Sequence, residues 1–408
     1  MRRERRQRLK PHGIVIAALA ATGVLAAVQG GAAMGRQAAA GAGRPVTFEA
    51  QEIKRDFGVG YAVAIADVNA DGKPDIVAIN GTQLVWFENP SWTEHVVLDG
   101  QTPKDNVAIA PHDIDGDGRL DIALGSGWNP RDTQGGGTLH WVRQPARAGE
   151  PWQLHEIGSE PTLHRIRWGR VDGSGKPMLL VGPLHGRGTS PPDFQGAGAR
   201  LLAFRIPDDA VKGEWKAEVV DDIFHAMHNF ELVDLPGHPH QTVITASKEG
   251  VHAYRRQDSG TWRRTKIGDG APGEIRLGRI DGRAVIATIE PWHGTSVVLF
   301  LEPKQGAPAG TLWERVVIED QLIWGHALAW ADMDGDGTQE LVVGWRDKPG
   351  GIAVYDIDSN GRVERKTVVE NQRMATEDMT AADLDGDGRP EIIASGRRTQ
   401  NVIIYWNR

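Results

Sequence analysis

The chain has 408 residues, with 51 glycines, 23 prolines, no cysteine and a formal net charge of −8. The absence of cysteine excludes a disulfide framework, and the acidic balance argues against nucleic acid as a partner. Abundant Gly and Pro with no long amphipathic segment point away from a helical bundle and toward many short strands joined by turns.

At the N-terminus, Arg2, Arg3, Arg5, Arg6, Arg8 and Lys10 precede an apolar run over residues 14–28 and small residues around 30–33. This is the layout of a signal peptide over residues 1–33, with an apolar run short for a membrane span; an uncleaved anchor is the alternative. Arg5-Arg6-Gln-Arg-Leu-Lys10 is similar to a twin-arginine signal, with Glu4 where Ser or Thr is usual. The expectation is an exported protein, periplasmic or extracellular, that is free of the membrane once the signal is removed. Residues 34–44, rich in Ala, Gly and Gln, read as a flexible spacer.

From residue 45 onward two patterns repeat. In the first, Phe48, Trp92, Trp152, Trp215, Trp262, Trp313 and Val363 each open a polar-alternating stretch such as Trp92-Thr-Glu-His-Val-Val. Alternation of this kind is the period of a half-exposed strand. The starts lie about 45–60 residues apart, the spacing of four-stranded propeller blades. The last strand, residues 402–406, is a third strand with no fourth after it, while the Phe48 strand is a fourth with no blade before it. Pairing the two closes the ring and removes an exposed sheet edge. The prediction is an all-β, seven-bladed β-propeller of four-stranded blades over residues 45–408, with eight blades as the near rival.

The second pattern is an Asp-rich loop. It places Asp67, Asn69, Asp71 and Asp75 at loop positions 1, 3, 5 and 9, then Asp113, Asp115, Asp117 and Asp121, then Asp332, Asp334, Asp336 and Glu340, and finally Asp383, Asp385, Asp387 and Glu391. A glycine stands at position 6 each time. One such loop reads as a solvated turn, but four at matched offsets supply the oxygen clusters that Ca²⁺ requires. Short apolar runs flank them, Val63-Ala-Ile-Ala and Ile76-Val-Ala-Ile for the first, so the loop joins two strands and is not an EF-hand. Blades three to five carry degenerate versions at Arg170-Val-Asp172-Gly-Ser174, near Asp234 and at Arg279-Ile-Asp281-Gly282.

On these loops the chain resembles the FG-GAP/VCBS repeat family of β-propellers, whose blades carry Asp-x-Asp-x-Asp-Gly-x-x-Asp/Glu between strands one and two. Over residues 45–408 it also resembles, at the level of fold and loops, the propeller part of aldos-2-ulose dehydratase-type enzymes and of polysaccharide lyases.

Aligning the innermost strands by these loops, the residues six before position 1 are Tyr61, Val107, His164, His228, Gly273, His326 and Glu377. Equivalent positions on innermost strands share one depth in the central channel, so three histidines and a glutamate are expected to converge. His164, His228, His326 and Glu377 form a ligand set suited to Zn²⁺, Mn²⁺ or Fe²⁺; the plainer reading is histidines lining a wet channel. Loops expected at the same mouth carry Trp128, His185, Arg187, Trp292, His293, Arg346 and Arg397, with His225 and Trp324 delivered between blades. Trp faces with Arg and His suit a sugar or an acidic sugar.

The reading is a secreted, calcium-stabilised lyase or dehydratase acting on a carbohydrate by β-elimination. Tyr61, His185, His225 and His293 are its candidate acids and bases, and Arg187 and Arg346 its candidate anion holders. The alternatives are a non-catalytic carbohydrate- or protein-binding module of the adhesion or lectin type, and metal-dependent hydrolysis at the same ring.

Overall fold

The computed structural model describes residues 44–408; the signal peptide expected over residues 1–33 and nearly all of the spacer lie outside them. The described residues form 28 strands in seven four-stranded sheets. In six sheets four consecutive strands pair in chain order. In the seventh, Phe48–Lys54 lies beside Val402–Asn407, antiparallel, with Phe48 opposite Asn407. The first strand of the fold thus completes the last blade, as the unpaired ends of the pattern predict. The resulting seven-bladed propeller leaves no strand of this sheet without its fourth partner.

Second strands, such as Asp75–Ile79 and Asp121–Ser126, are buried along their whole length, whereas fourth strands, such as Thr93–Asp99, are partly exposed. Seven apolar clusters each straddle one blade interface. One joins Ile76 and Val85 of blade one to Ile393 and Ile404 of blade seven. Another joins Val77 and Leu84 of blade one to Ile122 and Leu124 of blade two. The remaining five follow around the ring. No single blade encloses a core, so each depends on both neighbours.

The four Asp loops adopt one conformation. The position-1 carboxylate accepts the position-6 amide at 2.9 Å in Asp67–Gly72, 3.0 Å in Asp113–Gly118, 3.0 Å in Asp332–Gly337 and 2.9 Å in Asp383–Gly388. These glycines have φ of 84°, 85°, 92° and 85°, the left-handed region that a side chain resists. Blade five lacks such a loop. There Ile280 pairs with Arg283 across the two residues Asp281-Gly282, both at positive φ, which is the tight hairpin that an Asp-Gly pair favours.

Candidate active site

The predicted ring is present, and the backbone explains it. His164, His228, His326 and Glu377 are each the second residue of an innermost strand: Leu163–Gly169, Met227–Val233, Gly325–Ala331 and Thr376–Ala382. In all four, pairing with the next strand skips this residue. Leu163 faces Pro183 and Arg165 faces Gly182, leaving His164 as the extra residue, and the same shift occurs at His228, His326 and Glu377. Blades one, two and five pair without such a shift on their innermost strands. A β-bulge breaks the in-out alternation and re-aims the extra side chain. Here it accompanies the three His and the Glu, and all four are buried.

The ring positions also supply hydrogen-bond acceptors. His164 Nδ1 donates to the His228 carbonyl at 2.8 Å, His228 Nδ1 to the Gly273 carbonyl at 3.1 Å, and His326 Nδ1 to the Glu377 carbonyl. Each histidine is therefore held by the ring residue of the following blade, and the lone pair is left on Nε2.

Blade five has Gly273 at the ring position and fills it from elsewhere. A Cβ at Gly273 would stand 2.3 Å from the Trp292 carbonyl oxygen, so only glycine admits the loop that follows Arg283–Glu290. Trp292 N–H donates to the Ala271 carbonyl at 2.8 Å, and Trp292 itself holds φ of 55°. That loop carries His293 in between His228 and His326, at ring-centroid distances of 4.5 and 4.6 Å. The Nε2 atoms of His293 and His228 are 2.6 Å apart.

Above the histidines, Glu377 is clamped by two arginines. Its Oε2 accepts Arg346 Nη1 at 2.8 Å and its Oε1 accepts Arg397 Nη1 at 2.7 Å. Arg346 Nη2 also donates to His293 Nδ1 at 2.8 Å, and Arg346 lies over the Trp324 ring at 5.1 Å. Arg397 lies 5.7 Å from the Tyr61 ring centroid, and Tyr61 Oη donates to Asp105 at 3.3 Å. Burial, then the Asp105 charge, push the Tyr61 hydroxyl up to about 12. Trp128 packs on His164 at 4.6 Å and Trp292 on His228 at 5.1 Å, while Trp324 is 53% exposed at the rim. Burial holds His164, His228, His293 and His326 well below the usual histidine range. Arg165 reinforces this at His164, and Arg346 does so at His293 and His326. Four imidazoles held neutral thus lie together, three of them buried and His293 half-buried. Beneath them the channel continues as a cavity of about 450 Å³, with Arg165, Arg167, Glu231, Arg276 and Asp378 in its wall.

The other predicted residues are placed differently. His185 stacks on Phe194 at 3.6 Å and donates to the His225 carbonyl; it lies 6.3 Å from Trp292, which separates it from the ring. His225 is paired with Glu249 at 2.8 Å. Arg187 turns to the buried Glu160, which it shares with Arg200. The structure brings His293, Arg346 and Tyr61 to the mouth and leaves His225 and Arg187 in pairings of their own. Sequence reasoning gave no role to Arg165, whose Nη1 donates to His164 Nε2 at 3.1 Å. Its position directly after a ring histidine was the available signal.

Whether the ring suits a transition metal follows from the donor bookkeeping. His228, His293 and His326 bring one nitrogen each within 4.8 Å of one another. His228 and His326 present Nε2 lone pairs. His293 accepts from Arg346 at Nδ1, which puts its hydrogen on Nε2. The lone pair of His164 is taken by Arg165, and both oxygens of Glu377 are taken by arginines. The lone pair of His228 is met by the Nε2 hydrogen of His293 at 2.6 Å, so His326 alone offers a free nitrogen lone pair to a metal; freeing His228 and His293 requires Arg346 to leave His293.

For calcium, blades two, six and seven each gather three carboxylate oxygens within 4.8 Å: Asp113, Asp115 and Asp121; Asp332, Asp334 and Asp336; Asp383, Asp385 and Glu391. Burial with the neighbouring Asp charges pushes Asp121 up to about 6, Glu391 to about 7 and Glu340 to about 8. Arginines meet some of these carboxylates, Arg143 at Asp115 and Arg365 at Asp334, and the oxygens that remain crowded together suit a hard cation.

Residues 136–303 match the family described as aldos-2-ulose dehydratase, β-propeller domain, and residues 55–124 and 332–394 match FG-GAP-like repeats. The chain is 25% identical over 321 residues to the aldos-2-ulose dehydratase of Phanerodontia chrysosporium, covering 70% of this chain and 34% of that protein. It therefore spans about a third of the length of this curated relative. Among solved structures, the chain is similar in fold to BBS1N crystallised in complex with ARL6DN, with a TM-score of 0.53 and 11% identity over 90% of this chain and 98% of the other.

Proposed function

Taking the similarity to aldos-2-ulose dehydratase as premise, we propose that this chain is a lyase or dehydratase that acts on a carbohydrate by β-elimination at the histidine ring. The observation that carries the reading is the convergence of four neutral histidines, three aimed by bulges and one inserted through the Gly273 gap, at a mouth flanked by Trp and Arg. β-Elimination removes a proton next to a carbonyl and expels an oxygen from the neighbouring carbon. It needs a base and an acid that coexist near neutral pH, and neutral imidazole offers a lone pair and an N–H together. A proton passes from carbon to a ring Nε2, the carbon–oxygen bond breaks, and the leaving oxygen takes a proton from a ring N–H. Arg346 and Arg397, each pointing one arm at Glu377, place positive charge beside the oxygen that becomes negative in the enolate. Trp128, Trp292 and Trp324 offer apolar faces for a sugar ring.

The test is a panel of keto-sugars and uronates read by ultraviolet absorption of the unsaturated product, with His228→Ala and His326→Ala beside the wild type. Product formation that survives both substitutions would sink the mechanism.

A second reading is supported by the three nitrogens within 4.8 Å: a Zn²⁺, Mn²⁺ or Fe²⁺ held by His326 and, once Arg346 withdraws, His228 and His293. Such an ion would supply Lewis-acid polarisation of the substrate oxygen. The Asp loops lie at the opposite end of the innermost strands and have no part in the chemistry. We assign them structural Ca²⁺ in blades one, two, six and seven, with export to the periplasm or the cell exterior as the setting. Elemental analysis of the purified mature protein separates these cases. About four Ca²⁺ alone leaves the histidines as the whole of the reaction centre, and an added transition metal brings the second reading forward.

A further inference from the structure

The hydrogen bonds give the ring a direction. A neutral imidazole has one N–H and one lone pair, and a guanidinium can only donate. Arg346 Nη2 donates to His293 Nδ1, so the His293 hydrogen sits on Nε2, from which it reaches His228 Nε2 at 2.6 Å. His228 accepts there because its own hydrogen, on Nδ1, is committed to the Gly273 carbonyl. His326 has the opposite polarity from His293. Its Nδ1 hydrogen is committed to the Glu377 carbonyl, and its Nε2 makes no hydrogen bond among the described residues. The nearest acidic oxygen to that Nε2, Glu377 Oε1, is 3.9 Å away and bound to Arg397. The two rings stand side by side, with centroids 4.6 Å apart.

We infer that Arg346 is a positioning residue that locks His293 as the proton donor of the ring, and that His326 is the proton acceptor. The assignment rests on the reading of the ring as an elimination centre. In these terms the Nε2 lone pair of His326 takes the proton from the carbon next to the carbonyl. The Nε2–H of His293, released from His228 when substrate enters, is given to the departing oxygen. The donor and the acceptor differ because one ring nitrogen meets an arginine and the other meets a backbone carbonyl. Glu377 serves both ends, since its side chain aligns Arg346 and its carbonyl orients His326. The same lock opposes metal binding at His293, because the nitrogen that a metal would need carries the hydrogen.

The test is long-range ¹H–¹⁵N correlation spectroscopy of the full chain labelled at histidine nitrogen, which distinguishes the two tautomers of each ring; His293→Gln and His326→Gln assign the signals. The expected result is the Nε2–H form for His293 and the Nδ1–H form for His326. In Arg346→Met, His293 should lose its fixed tautomer, kcat should fall at least tenfold with KM little changed, and Arg346→Lys should restore part of both. The proposal is overturned if wild-type His293 shows the Nδ1–H form or a metal on Nε2, or if its tautomer is unchanged in a folded Arg346→Met protein. The spectra need no substrate. A correct tautomer pattern with no turnover of any sugar would therefore count against the proposed function and leave the lock standing, whereas turnover with the wrong pattern would do the reverse.

Discussion

The two ends of the innermost strands solve opposite problems with the same scaffold. At one end, four Asp loops repeat a single conformation, with one carboxylate-to-amide bond and one left-handed glycine in each. At the other, the ring positions vary: Tyr61, Val107, three histidines held alike at Nδ1 but met differently at Nε2, a glycine filled by His293, and Glu377. Repetition there fits a structural role at the Asp loops, since the same turn between first and second strands recurs in blades one, two, six and seven. Asymmetry serves a single reaction centre, because a substrate must meet a donor, an acceptor and a cation at different points. A sugar binder with one site per blade would show the reverse, with the loops around the mouth repeating as the Asp loops do.

This contrast can be broken in several ways. The largest effect is expected at the ring, where His326→Ala should lower kcat for elimination by about 10²–10⁴, the usual contribution of a general base, with melting temperature as the check on folding. Acid comes next. The four ring histidines have folded pKa values below their unfolded ones, so the unfolded chain binds more protons at low pH. Their contribution to stability is fully present above about pH 6.5 and falls as pH drops below it, toward the depressed folded values. Asp121, Glu391 and Glu340, whose values are raised, act in the opposite sense. Urea midpoints at pH 7 and pH 5 are therefore compared with those of a folded His164→Gln protein. The variant should lose less on acidification than the wild type, and an equal loss would mean that this ring is not held neutral.

Calcium removal acts on the other end. A chelator should lower the melting temperature by about 5–10 °C, as expected for losing ligands present well above their dissociation constants, and calcium should restore it. Gly273→Ala should cost about 1–3 kcal/mol, since its Cβ meets the Trp292 carbonyl, and should displace His293 from the ring. The smallest effects are expected outside the mouth. His225→Ala and Arg187→Ala should change kcat by no more than about twofold, because each side chain is spent on a carboxylate away from the ring.

The contrast also explains what could be read from the chain. Blade number and closure follow from the Trp-led fourth strands and the unpaired ends, which are local signals repeated around the ring. The offset of six residues found His164, His228, His326 and Glu377, because a shared fold keeps equivalent positions at one depth. Their bulges could not be read, since a bulge depends on the partner strand's register. Nor could the entry of His293 into blade five's vacancy, although Gly273 marked the gap: a loop's path is set by tertiary packing. His225 and Arg187 were misleading for a related reason, as side chains in the right loops turned to buried or nearby carboxylates, Glu249 and Glu160, that no periodicity reveals.

The central claim is that proton abstraction occurs at the ring and not elsewhere on the propeller. Its most direct test is turnover of a keto-sugar in D₂O, with nuclear magnetic resonance following exchange of the hydrogen next to the carbonyl. The account predicts exchange with the wild type and with Asp336→Asn, a change confined to the blade-six loop, and its loss in folded His326→Ala. Exchange that persists in His326→Ala, or fails when only Asp336 is changed in a folded protein, would contradict it.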